Sequence, residues 1–299
     1  MHDIAWLLDR THDLLMLGGG AVIVAAFLAW RRTGGDPLRG APIRACRLDP
    51  VRLWLCLCAY LLILLIAAGL VGAVLPVPDG DAGRQAAASV LASNLTQILA
   101  IGVFLVIGRQ GFRAGLRGLG LERLSWDRVL VLGGAGWLAA TGLCGLVLLV
   151  TEQVIRWLQY APPRHAVLTT LGDASAAGWV RLAAVGGAAV LAPVGEEIFY
   201  RGILQTGLRK LCPRIGRTLL HRWFAVVAAS AAFAMMHRGT PHHVPALFVL
   251  SILLGGLYER TGSLGVPILV HMLFNIRTLA WYALLEPWSA WQALVRAFA

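Results

Sequence analysis

The sequence predicts an all-α fold, a polytopic transmembrane helical bundle of about eight membrane helices. Hydrophobic residues make up 58% of the 299 and charged residues only 14%, against roughly 25% charged in a soluble domain. The apolar residues are gathered into runs close to the ~20 needed to cross a hydrocarbon core ~30 Å thick. The basic residues, which give a net charge of +11, fall in short blocks between those runs.

The runs cover 12–30, 53–75, 86–108, 129–151, 178–204, 221–237, 244–259 and 264–285. The sixth and seventh are short, so tilting or incomplete spanning is expected of them. The N-terminus, Met1-His2-Asp3-Ile4, has no positive region and no small-x-small site follows the first run, so the first segment is expected to be an uncleaved anchor.

Charge placement supplies orientation. Arg31, Arg32, Arg39, Arg44, Arg47 and Arg52 follow the first run, and Arg109, Arg113, Arg117, Arg123 and Arg128 follow the third. Arg209, Lys210, Arg214, Arg217 and Arg222 follow the fifth, whereas the intervening loops carry only Arg84, Arg156 and Arg164. The alternation has the period that helices crossing in opposite directions require, and it places the basic loops in the cytoplasm and both termini outside. Basic blocks so placed speak for a membrane surface and against nucleic acid, so membrane lipids are expected partners.

The linkers carry turn chemistry at 76–80, 161–164 and 238–241. The arginine-bearing segment from Gly111 to Leu121 reads equally as an amphipathic stretch on the membrane face or as a solvated loop. The cysteines Cys46, Cys56, Cys58, Cys144 and Cys212 show neither a disulfide framework nor zinc-ligand spacing. The chain divides into N-terminal helices and loops at 1–177, a helical core at 178–285 and a tail at 286–299, all one membrane unit.

Ionisable side chains inside a spanning helix cost several kcal/mol, which makes each a functional hypothesis. The first cluster is Glu196 and Glu197 followed by Arg201. Glu197 and Arg201 are four residues apart on a helix and suited to an ion pair. Glu196 points ~100° away, so one arginine does not serve both carboxylates. That leaves a glutamate for other work, or the pair serves as an anchor at the interface.

The second cluster pairs Phe233 with His237 and the third His271 with Asn275, each at a four-residue spacing. Alone, His237 reads as a helix-end group, and His271 with Asn275 reads as interhelical glue. Together with Glu196 they form a complete set for hydrolysing an amide. A glutamate takes a proton from water, His271 and Asn275 stabilise the oxyanion, and His237 orients the water or the glutamate.

The order Glu-Glu-x-x-x-Arg, Phe-x-x-x-His, His-x-x-x-Asn on successive membrane helices resembles the CPBP family, the CAAX proteases and bacteriocin-processing proteins. That family includes the type II CAAX prenyl endopeptidases, and the resemblance covers about 178–285. It implies an all-α bundle with a chamber open to cytoplasm and membrane, Glu196 as catalytic base, His237, His271 and Asn275 completing the site, and Glu197 and Arg201 supporting it.

The family is often labelled as metalloprotease, but no His-Glu-x-x-His appears, and a metal-free glutamate mechanism with no cofactor is expected, zinc being the alternative. The expected function is an intramembrane endopeptidase cutting near the membrane surface, in the C-terminal tail of a lipidated or membrane-tethered protein. A bacterial cytoplasmic membrane is the expected location. A proton-coupled transporter and a non-catalytic immunity or scaffold protein are the alternatives. Depth is a point of tension: Glu196 reads as lying near the cytoplasmic end of its helix and His237 at the far end of its own.

Overall fold

The bundle is built from helices whose ends follow the polar residues between the apolar runs. The computed structural model describes residues 2–32, 38, 41–42, 46–78, 80–121, 123–161, 166–173, 175–211 and 219–285. The tail at 286–299, Cys212, Arg214 and Arg217 lie outside the described residues.

Three long helices open the chain: α1 His2–Arg32, α2 Pro50–Val74 and α3 Ala82–Gly111. The second starts on Asp49, whose carboxylate accepts from the Arg52 amide, with Pro50 in the first turn. The third starts on Asp81, which accepts likewise from the Arg84 amide. Each cap satisfies an amide that the first turn leaves without a helical partner.

The short α4, Gly115–Leu119, precedes α5, Trp126–Trp157, and α6, Ala166–Gly172, follows. A continuous helical run then covers 178–211: α7 Gly178–Gly186, a π turn Gly187–Leu191, α8 Ala192–Glu197, a second π segment Ile198–Gln205 and α9 Thr206–Leu211. We call this run the central helix. Helices α10 Leu219–Met236, α11 Val244–Thr261 and α12 Gly265–Leu285 complete the bundle.

All eight expected runs fall on helices. Six helical stretches, including the central helix, are long and apolar enough to cross a membrane. Trp223–Met236 is a shorter apolar helix, and α12, diluted by His271, Asn275 and Arg277, is not among the six. Among the described residues, length and composition thus support six spans, and the count of eight is not confirmed. Leucines such as Leu61, Leu62 and Leu65 of α2 are half or more exposed, as a lipid-facing surface requires and a water-facing one disfavours.

The central helix packs on α3 on one side and on α10 and α12 on the other. One apolar cluster joins Cys56 and Ile63 of α2, Ala100 and Phe104 of α3, Ile198 and Ile203 of the central helix, and Leu264. A second joins α5, α11 and α12 through Cys144, Leu250, Leu254 and Val270.

The basic loops meet at one end of the bundle. The Arg47 amide donates to the Gly111 carbonyl at 2.7 Å, and Lys210 Nζ donates to the Leu48 carbonyl at 2.7 Å. The segment after Gly111 is not a solvated loop: it is amphipathic, with Arg113 and Arg117 exposed and its apolar residues packed on the bundle. Phe112 and Leu119 are buried, and the Leu119 carbonyl accepts from the Tyr258 hydroxyl at 2.7 Å.

Glycine is needed where the two turns at this end touch. Gly120 has φ +107° and Gly262 φ +69°, and a Cβ on Gly120 would lie 2.7 Å from the Gly262 carbonyl oxygen.

Candidate active site

The central helix does not stop at 204, as the apolar run 178–204 implied. It runs on to Leu211, because Arg201 is buried and paired rather than the first residue of a basic loop. That removes the depth tension. Glu196 lies fifteen residues from Leu211, a rise of about 22 Å, and His237 eighteen residues from Leu219, about 27 Å, at 1.5 Å per residue. Both polar groups lie deep in the bundle, and no special tilt is required.

The two adjacent glutamates have different surroundings. Glu197 is fully buried, and Arg201 Nε donates to its Oε2 at 2.9 Å. Arg201 Nη2 also donates to the Ser251 hydroxyl at 2.8 Å, and its guanidinium lies 5.7 Å from the Phe233 ring centroid. An arginine with a carboxylate, a hydroxyl and an aromatic face around it is well compensated for burial. Glu196 has 22% of its side chain exposed and faces the gap between the central helix and α12.

His271 links the two carboxylates. Its Nδ1 lies 3.0 Å from Glu197 Oε1 and its Nε2 3.8 Å from Glu196 Oε2. Glu197, held by Arg201, is a carboxylate and only accepts, so Nδ1 carries the hydrogen and Nε2 faces Glu196. Arg201, Glu197 and His271 therefore form a chain that fixes one tautomer of the imidazole, as carboxylates do for catalytic and metal-binding histidines.

His237 is fixed by a local bond. Its Nδ1 lies 2.9 Å from the Phe233 carbonyl, which again only accepts, so Nδ1 carries the hydrogen and Nε2 is the open nitrogen. Phe233 is a hub: its centroid lies 4.8 Å from His237, 5.7 Å from His271 and 5.2 Å from Tyr200. Glu196 is within electrostatic range of both His271 and His237.

Asn275 Nδ2 donates to the Ala188 carbonyl at 2.8 Å. Ala188 belongs to the π turn, where the i to i+5 pattern leaves carbonyls short of their usual partners. One of the two carboxamide N–H groups is thus committed to holding α12 against the central helix.

The six residues singled out in the sequence, Glu196, Glu197, Arg201, His237, His271 and Asn275, come together around one gap between the central helix, α10 and α12. Zinc was the alternative to a metal-free site, but among the described residues no three His, Cys, Asp or Glu side chains converge as a metal-holding group.

Residues 177–277 match the family described as type II CAAX prenyl endopeptidase Rce1-like. That segment is a CAAX-protease domain. That match implies peptidase activity for the segment, and the apolar helices make the chain a multi-pass integral membrane protein. No curated protein and no solved structure matches the chain.

Several partners of the CAAX-protease domain went unread in the sequence. Ser251 on α11 binds Arg201. Gln205 Nε2 donates to Glu259 Oε1 at 3.1 Å, and Arg209 Nη1 donates to Glu259 Oε2 at 2.7 Å, making a second buried polar group nearer the basic end. On α3, Asn94 Nδ2 donates to the Ala183 carbonyl at 2.9 Å, and Gln97 faces Gly195. The cost argument that singled out Glu196 also applies to Asn94 and Gln97 in the apolar run 86–108, and it was the available signal.

Proposed function

We propose that the chain is an intramembrane endopeptidase in which Glu196 activates water to cut a peptide bond in the C-terminal tail of a lipidated or membrane-tethered protein. The observation that carries this reading is the division between the two glutamates. Glu197 is neutralised by Arg201 and occupied by His271, whereas Glu196 remains partly accessible and without an arginine bond.

In this reading water lies beside Glu196, which takes its proton as the oxygen attacks the scissile carbonyl. The C–O bond forms, the carbonyl becomes an oxyanion, and the tetrahedral centre collapses with cleavage of the C–N bond. The proton held on Glu196 passes to the leaving amine. His271, with Nδ1 fixed by Glu197, turns Nε2 toward Glu196. His237 presents its open Nε2 from α10 and orients the water.

Charge supports the substrate class. A free carboxylate at the end of such a tail suits the basic end.

Substrate capture is the test. Glu196→Gln should retain uncleaved tails that mass spectrometry identifies, and Glu196→Ala should abolish cleavage while the protein stays folded. Retained cleavage by Glu196→Ala would sink the assignment. A chelator should leave turnover unchanged, and stoichiometric zinc bound through His237 and His271 would overturn the metal-free mechanism.

A further inference from the structure

Arg277 on α12 lacks the compensation that surrounds Arg201. Its Nη2 donates to His12 Nδ1 of α1 at 3.2 Å, and its guanidinium lies 5.9 Å from the Trp281 ring centroid. His12 in turn meets the Trp281 ring at 5.3 Å. An arginine only donates, so His12 Nδ1 accepts, and the hydrogen of the neutral imidazole is on Nε2.

Among the described residues no carboxylate pairs with Arg277. Its Nε is buried without a hydrogen-bond partner, whereas Nη1 is unpaired and not sealed in, as is His12 Nε2. A cation in a membrane helix with only an imidazole and an indole beside it is costly to keep there. The described part of the chain supplies no counter-charge, so an anion from outside lowers that cost through the two open donors.

The surroundings say which anion. Helices α1 and α12 each pack along α5 and scarcely touch one another, yet the Arg277–His12 bond joins them, so they flank a crevice on α5. Close packing already fixes α1 to α5, since a Cβ on Gly19 would lie 2.9 Å from the Gly142 amide nitrogen. Both flanking helices face lipid: Leu14 and Leu17 of α1 and Ile276 of α12 are exposed. His12 is at the outer end of the candidate span Arg10–Ala29, and Trp281 lies one turn beyond Arg277 in the same direction. That is the depth of interfacial tryptophans and of lipid headgroups.

We infer that Arg277 and His12 bind the phosphate of a membrane lipid whose chains occupy the crevice between α1 and α12. Arg277 Nη1 and His12 Nε2 donate to the phosphate oxygens, and Trp281 keeps the guanidinium and the imidazole side by side. Several donors at one point match a tetrahedral anion, and lipid phosphates are the abundant anions at this depth. Arg277 is about 200° around α12 from Asn275, so this site faces away from the gap and does not depend on which residue is the base.

The experiment uses the full chain in detergent micelles and reads its melting temperature against added lipid. Dioleoylphosphatidylglycerol should raise it saturably, whereas dioleoylglycerol, with the same chains and no phosphate, and inorganic phosphate should not. Arg277→Gln should need about tenfold more phosphatidylglycerol for the half-maximal shift, the loss of a charge-assisted hydrogen bond. His12→Phe keeps a ring beside Trp281 and removes the second donor, and should need about threefold more.

No shift in the parent overturns the inference, as does the same half-maximal concentration in Arg277→Gln as in the parent. An equal shift from dioleoylglycerol makes the crevice a surface for chains only, and one from inorganic phosphate assigns the donors to a free anion; either removes the lipid phosphate. A lower lipid-free melting temperature with an unchanged lipid response makes Arg277 only a clamp between α1 and α12, which also overturns it. Should Arg277→Gln fail to fold, His12→Phe decides, and its responding as the parent does overturns the site.

Discussion

Arg201 is where a single side chain decides most. It is fully buried, and its guanidinium bonds Glu197 and Ser251. Replacing it with methionine leaves Glu197 as a buried carboxylate without its cation, a change that costs about 3–5 kcal/mol. Thermal unfolding in detergent should show that loss, and Glu197→Gln added to Arg201→Met should recover part of it. A double variant no more stable than Arg201→Met would show that the pair contributes little. Glu196→Gln should leave the melting temperature unchanged and remove turnover, since no arginine depends on it.

The residue scale is also where the sequence was most legible. A four-residue spacing is enough to pair Glu197 with Arg201, because helix geometry alone brings those side chains together. It does not reveal that His271 bonds Glu197 rather than Glu196, or that Asn275 reaches a backbone carbonyl. Those depend on the rotation of α12 against the central helix, which packing sets.

At the scale of elements, the fit of α3 against the central helix depends on glycines. A Cβ on Gly187 would overlap Asn94 Oδ1, and one on Gly195 would lie 2.7 Å from Gln97 Oε1. Gly187→Val should therefore destabilise by about 1–3 kcal/mol through overpacking. Gly102→Ala on α3, where nothing lies within 4 Å, should be neutral or stabilising by up to about 1 kcal/mol. Melting temperatures of the two variants check the contrast, and equal values would show that the close approach is relaxed in the membrane.

Element positions were largely visible as apolar runs, but their ends were not. The central helix outran the expected 204 because Arg201 resembles a boundary in sequence and is an interior residue in space. The segment after Gly111 failed to read as part of the bundle because its arginines hide the buried Phe112 and Leu119.

For the molecule as a whole, the convergence of basic segments at one end predicts a single orientation. In a cysteine-free background, Arg113→Cys should resist a membrane-impermeant maleimide in intact cells and label after permeabilisation, whereas Arg84→Cys should label from outside. The reverse pattern would invert the bundle and place the gap near the outer surface. Composition made the membrane setting plain, but which helices span fully depended on α12, where the polar residues that serve the site lower its apolar character.

The π turn at Gly187–Leu191 carries one more residue than an α-helix would need to cover the same rise. That surplus sets the angular phase of everything after it. Because the π turn absorbs that residue, deleting Ala189 should restore regular winding and leave Glu196 in nearly the same phase relative to α7 and its anchor on Asn94. The full-length run wound as a regular α-helix would instead turn Glu196 by about 100°, and its carboxylate would aim away from the two imidazoles.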